Sequence, residues 1–213
     1  MPRRFASLTV RSSAIAAAAA LCTLSACTAI QSAQNSSSGA SAASADQPVY
    51  SGYLCCNLRS DGNWASDNNY AEGGKRILPP GTPAKVTGYG RHRVLVEMNG
   101  KAQAIGNDYS RDIPLGEFAK RWVKSEDPTQ KIASFPPKIR EAIRSARVTK
   151  GMTRDQVVMA VGWPISSENP TFDAPLWRMW MTSFGEYQIA FDANGRVQSV
   201  TTDPLTRNLV VME

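Results

Sequence analysis

The stretch from Gly151 to Pro164, GMTRDQVVMAVGWP, restricts the fold more than any other part of this chain. It writes out a short helix with both ends marked. Thr153 has the hydroxyl that accepts from the orphan amides of a first turn, and Gln156 three positions on completes a capping box. Met152 and Val157 stand where a hydrophobic staple closes, and Asp155 puts a negative charge at the positive end of the helix dipole. Gly162 and Pro164 supply the stop. The spacing predicts a helix over 153–161 with Val157, Ala160 and Val161 on one face and Val158 beside them, a face that has to pack on something.

The residues that follow supply a sheet for it. Ala174 to Thr182 sets Trp177, Met179 and Met181 on one face and Leu176, Arg178 and Trp180 on the other. From Glu186 the alternation is cleaner, with Tyr187, Ile189 and Phe191 against Glu186, Gln188 and Asp192. Asn194-Gly195 reads as a two-residue type I′ hairpin, and Arg196 to Thr202 returns as a third strand, bulged because Val197 and Val200 differ in parity. Before the central helix, Pro136-Pro137 opens another that reaches about Arg147. Its Ile139, Ala142, Ile143 and Ala146 form the buried stripe.

Gly151, Met152, Thr153, Val157, Gly162, Pro164, Trp177, Phe191, Asp192, Gly195 and Val197 occur in an order that resembles the BamE (SmpA/OmlA) family of small outer-membrane lipoproteins. The resemblance covers about residues 136–203. It implies an ααβββ fold. Through the family's best-known member it also implies an accessory role in the barrel-assembly machine, touching partner lipoproteins and phosphatidylglycerol. This chain departs from the pattern in a short link at Ser183 to Gly185 and in the whole region that precedes the domain.

Residues 1–26 read as a lipoprotein signal peptide, with Arg3, Arg4 and Arg11 before an alanine-rich apolar run too short to span a bilayer. Leu24-Ser25-Ala26-Cys27 resembles the bacterial lipobox, which makes Cys27 the lipidated residue. Several acyl chains hold a protein on a membrane where one is marginal. Thr28 rather than Asp after the cysteine is similar to outer-membrane sorting signals, so the expected place is the outer membrane, facing the periplasm. Residues 27–48 then form a flexible tether of Ser, Ala, Gln, Asn and Gly. Loss of the signal takes three arginines and no acids, so Lys plus Arg falls from 24 to 21 against 18 Asp plus Glu. The excess of +3 does not argue for nucleic acid as a partner.

The remaining chain divides at the Pro-rich stretch into 49–128 and 129–213. In the first part Val49 to Leu58, Ala84 to Tyr89, Arg93 to Met98 and Lys101 to Gly106 are strands, with an Asn99-Gly100 type I′ turn, and Pro114 to Val123 is a helix. The step from Leu78-Pro-Pro-Gly-Thr82 into a strand is similar to the entry of a bacterial SH3-like barrel. The predicted fold class is therefore α+β: a small β-rich, SH3-like domain ahead of a two-layer ααβββ BamE-like domain.

Cys55 and Cys56 leave several readings open: a bond between neighbours, a buried thiol pair, a contact with another chain, or a reactive thiol. With His92 as the sole histidine there is no complete zinc set and no Cys-His-His hydrolase. Asp61, Asn63, Asp67, Asn68 and Asn69 lack the calcium-loop order, and Asn107 to Arg111 reads as an Asx-capped turn with an ion pair. No catalytic set and no cofactor are expected. Arg140, Arg144 and Arg147 share a helical stripe, read either as a solvated face or as a contact for anionic headgroups. Trp177, Trp180 and Phe184, with Tyr187, are core or sheet cover in one reading and a sticky partner face in the other. The expected function is that of a non-enzymatic, outer-membrane-anchored periplasmic lipoprotein, an accessory or protein-interaction factor in envelope assembly. The alternatives are peptidoglycan binding through the SH3-like part and, behind it, a thiol-dependent enzyme.

Overall fold

The capping box at Thr153 is present, and the chain on either side of its helix is organised to bury it. The computed structural model describes residues 47–72 and 74–213. The expected signal, Cys27 and all of the tether before Gln47 lie outside the described residues. No helix among the described residues is long and apolar enough to cross a membrane.

The fold is α+β. In chain order it comprises β1 (Tyr50–Leu54), β2 (Leu58–Ser60), β3 (Trp64–Ser66), β4 (Arg76–Leu78), β5 (Pro83–Gly90), β6 (Arg93–Met98) and β7 (Lys101–Gly106). Then come α1 (Leu115–Trp122), β8 (Val123–Lys124), α2 (Thr129–Ala133), α3 (Pro137–Arg144) and α4 (Arg154–Val161). The chain closes with β9 (Leu176–Trp180), β10 (Glu186–Phe191), β11 (Val197–Thr202) and α5 (Pro204–Val210).

The first half is a six-stranded sheet in the order β3-β7-β6-β5-β1-β8, with a small β2-β4 pair beside it. β5, β6 and β7 form an antiparallel meander whose inward residues Val86, Val94, Val96 and Met98 are buried. The Asn99-Gly100 turn has both residues at positive φ, 52° and 72°, as a type I′ hairpin requires. α1 lays Phe118, Ala119 and Trp122 on the core before β8 pairs with β1. The single strand expected over Val49 to Leu58 is instead two, broken at Cys55 to Asn57. There the backbone leaves the sheet, and the Cys55 and Asn57 amides donate to Trp122 O and Met159 O.

The second half places α3 and α4 against one face of the antiparallel sheet β11-β10-β9. Thr153 Oγ1 accepts from the Gln156 amide and Gln156 Oε1 from the Thr153 amide. Val157 and Ala160 are fully buried. α3 is shorter than the apolar stripe predicts. Ala146 adopts φ 52°, and the Arg147 amide donates to Ala142 O in a Schellman closure that ends the helix before Arg147. The hairpin between β10 and β11 also differs from expectation. Asp192 Oδ1 accepts from the amides of Asn194 and Arg196, so the loop has three residues, with only Gly195 at positive φ. The bulge expected in this hairpin appears as a register shift, Ala190 facing Ser199 and Phe191 facing Val197.

The expected boundary near residue 128 does fall between the two sheets, but one cluster of buried side chains runs across it, from Leu54 and Val86 through Trp122 to Val157 and Ile189. The described residues belong to one compact unit. Two asparagines join the halves. Asn57 Nδ2 donates to Ile143 O (2.6 Å) and Ala160 O (2.8 Å), and Asn69 Nδ2 donates to Val161 O (2.9 Å) and Asn57 O (3.0 Å). Ile143, Ala160 and Val161 lie in the last turns of α3 and α4, where carbonyls have no partner within the helix. The first half therefore caps the helices of the second. Gly162 belongs to the same arrangement, because a Cβ there would sit 2.9 Å from Asn69 Nδ2.

Candidate functional site

Two places combine exposure with a held geometry: a pocket between the halves and a turn at one end of the second sheet. The pocket forms where β8 runs into α2 opposite the outer side of α4, and its volume is about 330 Å³. Val158 and Met159 of α4, Trp163 and Pro128 make its apolar wall, and Cys55 forms part of it. The Trp163 indole is fixed by its N–H, which donates to Arg121 O at 2.9 Å, and its ring lies 5.1 Å from the Arg121 guanidinium carbon and 5.7 Å from Lys124 Nζ. Burial, then Arg121, lowers the Lys124 pKa, and Asp155 opposes them. Lys131, Glu126 and Asp127 complete a rim of mixed charge. Behind the wall an aromatic series, Trp163, Phe172, Trp177 and Phe191, runs into the core with successive centroids 5.5, 5.1 and 4.8 Å apart.

Cys55 and Cys56 are joined in a disulfide, the bond between neighbours that was one of the readings left open for them. They are 6% and 0% exposed, and of the two only Cys55 faces the pocket. His92 is exposed in the turn between β5 and β6, apart from the pocket lining.

The turn between β9 and β10 carries Phe184, whose side chain is 97% exposed. Its backbone is nevertheless held. The Ser183 amide and hydroxyl donate to the two carboxylate oxygens of Glu72, at 2.6 and 3.1 Å, and Thr182 Oγ1 accepts from the amides of Phe184 and Gly185. α5 packs beside this turn, and its Leu205 and Leu209 are 80% and 50% exposed. α5 was not foreseen, although Asp203-Pro204 is a legible start: Asp203 Oδ1 accepts from the amides of Leu205 and Thr206, and Pro204 fills the first position.

The other expected contacts are redistributed. Trp177 is fully buried, with its indole N–H donating to Phe172 O, so of the two readings open for it the core one holds and a partner contact at Trp177 is corrected. Trp180 is half-buried on the outer face of the sheet, donating to Glu168. Arg144 is exposed but held in a two-pronged pair with Glu141, at 2.9 and 2.6 Å. Arg140 is exposed and donates to Ala133 O. Arg147 lies past the end of α3 and is half-buried, so the three arginines do not form one stripe. In the Asn107 to Arg111 turn, Asp67 supplies the Asx cap, accepting from the amides of Asp108 and Tyr109, and the expected ion pair to Arg111 is absent among the described residues.

Both edges of the second sheet are closed by side chains. On β9 the Asn169 carboxamide takes the place of a neighbouring strand, accepting from the Arg178 amide at 2.8 Å and donating to Arg178 O at 2.9 Å. On β11, Arg207 donates to Val200 O. Strand addition, the usual hazard and opportunity of an edge, is thus obstructed on both sides. Compared with known proteins, the chain matches no family model, no curated protein and no solved structure.

Proposed function

We propose that this chain is an accessory lipoprotein of the bacterial envelope, anchored in the outer membrane through Cys27 and facing the periplasm, that binds a protein partner in outer-membrane protein assembly. The observation that carries this reading is the exposed phenyl ring of Phe184 on a turn pinned by Glu72 and Thr182. Aromatic anchors dominate protein interfaces, and ordering the backbone in advance lowers the entropy cost of docking. Leu205 and Leu209 on α5, the helix whose Thr206 lies against Gly185 of this turn, are further exposed apolar side chains. The partner chemistry that fits is a concave apolar site able to take a phenyl ring.

Two further features support the reading. The order α3, α4, β9, β10, β11 with both helices on one sheet face is what the BamE-like resemblance implies. The closed edges at Asn169 and Arg207 favour a partner that takes the tip over one that adds a strand. The test is a photocrosslinking residue placed at 184 in intact cells, with Ser199 on the outer sheet face as control. A specific adduct with an envelope assembly protein from position 184 is expected. Equal yields from 184 and 199 would overturn the proposal.

A second reading, peptidoglycan binding by the first half, is favoured by its topology. The first strand lies between β5 and β8, the meander β5-β6-β7 follows, and α1 precedes the last short strand, an order consistent with the SH3-like resemblance. Retention on purified sacculi of the soluble form starting at Thr28 would support it, and loss in the flow-through would exclude it.

A further inference from the structure

A disulfide stabilises a fold chiefly by closing a loop of the unfolded chain, and the effect grows with the number of residues enclosed. Cys55 and Cys56 are adjacent, so their bond encloses no residues and ties no distant segments together. Its presence at the meeting of the two halves calls for a different explanation, and its surroundings provide one. Cys55 forms part of the wall of the pocket, whereas Cys56 is fully buried behind it. The two cysteines are thus unequal towards anything that arrives from solvent.

We propose that the Cys55–Cys56 disulfide is a thiol–disulfide exchange site entered through this pocket, with Cys55 as the sulfur attacked and a dithiol reductant as co-substrate. A thiolate of the dithiol attacks Cys55 Sγ. The bond to Cys56 breaks, and its electron pair passes to Cys56 Sγ, which takes up a proton. The second thiol of the reductant, losing its proton, then attacks its own sulfur in the mixed disulfide and releases Cys55, which is protonated in turn. The dithiol ends as a disulfide, and Cys55 and Cys56 as two thiols, a transfer of two electrons and two protons.

The rim bears on the approach of an anion. Lys124 and Lys131 attract a thiolate, while Glu126, Asp127 and Asp155 oppose it, and Asp127 is already engaged with the Thr129 amide. The apolar wall of Val158, Met159 and Trp163 suits the carbon skeleton of a dithiol. The backbone around the bond is held by neighbours that exchange does not touch: the Cys55 amide on Trp122 O, the Asn57 amide on Met159 O, and the Asn57 carboxamide on the ends of α3 and α4. Exchange therefore proceeds in the folded chain.

The experiment uses the full chain with Cys22→Ser and Cys27→Ser, so that thiols arise only at 55 and 56. Dithiothreitol is the dithiol, and alkylation with mass mapping is the readout. Reduction in native buffer at a rate that stays flat across sub-denaturing urea is expected, with limiting glutathione trapped on Cys55. A rate that climbs with urea in step with global unfolding, followed by far-UV circular dichroism, would overturn the proposal. Single-thiol forms sharpen the test. Against 5,5′-dithiobis(2-nitrobenzoate), Cys55 in the Cys56→Ser form should react on the order of 100-fold faster than Cys56 in the Cys55→Ser form. Equal rates in two folded variants would refute it. If either variant fails to fold, the urea dependence of the intact disulfide decides alone.

Discussion

The two ends of α4 are closed in different ways. Its first turn is satisfied by Thr153 and Gln156, within four residues of one another. Its last turn is satisfied by Asn57 and Asn69, which come from the other half of the molecule. The same contrast holds between the halves. The first builds its sheet from a meander of sequential hairpins, while the second leaves the carbonyl ends of two helices to be capped by the first. A region with its own sheet and its own helices is thus not independent, because part of what its helix ends leave over, Ala160 O and Val161 O, is matched across the boundary.

The substitution expected to break this arrangement most completely is Val157→Asp. It puts a carboxylate at a fully buried position in the cluster common to both halves, at a cost of about 4 kcal/mol or more. Limited proteolysis should show both halves losing resistance together. A surviving fragment over 47–128 would mean that the halves are separable after all.

Asn57→Ala comes next. It leaves the buried Ala160 carbonyl unpaired and takes one of two donors from Ile143 O, which keeps the Ala146 amide, at roughly 1 to 3 kcal/mol for the orphaned group. Amide hydrogen exchange should quicken in α3 and α4 more than in β5 to β7. Uniform acceleration would contradict the assignment of the Asn57 carboxamide as a cap for these two helices in particular. Thr153→Ala tests the locally closed end and should cost about 1 kcal/mol, confined to the start of α4. If its effect matched that of Asn57→Ala, the distinction between the two ends would fail.

Asp67 gives a smaller effect that depends on pH. Burial raises its carboxyl pKa, against the hydrogen bonds from Ser110 and the amides of Tyr109 and Asp108. A raised pKa means that the fold prefers the protonated acid. The contribution is therefore intact below the unfolded carboxylate value and is lost as pH climbs through the folded one. Urea unfolding between about pH 3 and pH 7 should show the parent losing stability relative to Asp67→Asn as pH rises. A constant difference would remove the assignment. Smallest of all in stability is Phe184→Ser, within about 0.5 kcal/mol because the ring is in water, although it should abolish co-purification of the protein that position 184 crosslinks.

Much of the framework was legible in the sequence because its signals are local. The capping box of α4, the alternation of β6 and β10, and the Asn99-Gly100 turn each depend on residues within one turn or one strand, and each stands where the residues placed it. Of the candidate site, Phe184 was picked out by its aromatic character but not separated from Trp177, since alternation alone assigns faces without saying which face is covered. Tertiary structure decided what depends on distant partners. It broke the first strand at Cys55 to Asn57, where amides find acceptors on α1 and α4, and it stopped α3 before Arg147. It also gave Asn57 and Asn69 their role. A carboxamide in a loop reads the same whether it ends in solvent or on a helix carbonyl about 100 residues away, and only the packing of the two halves determines which.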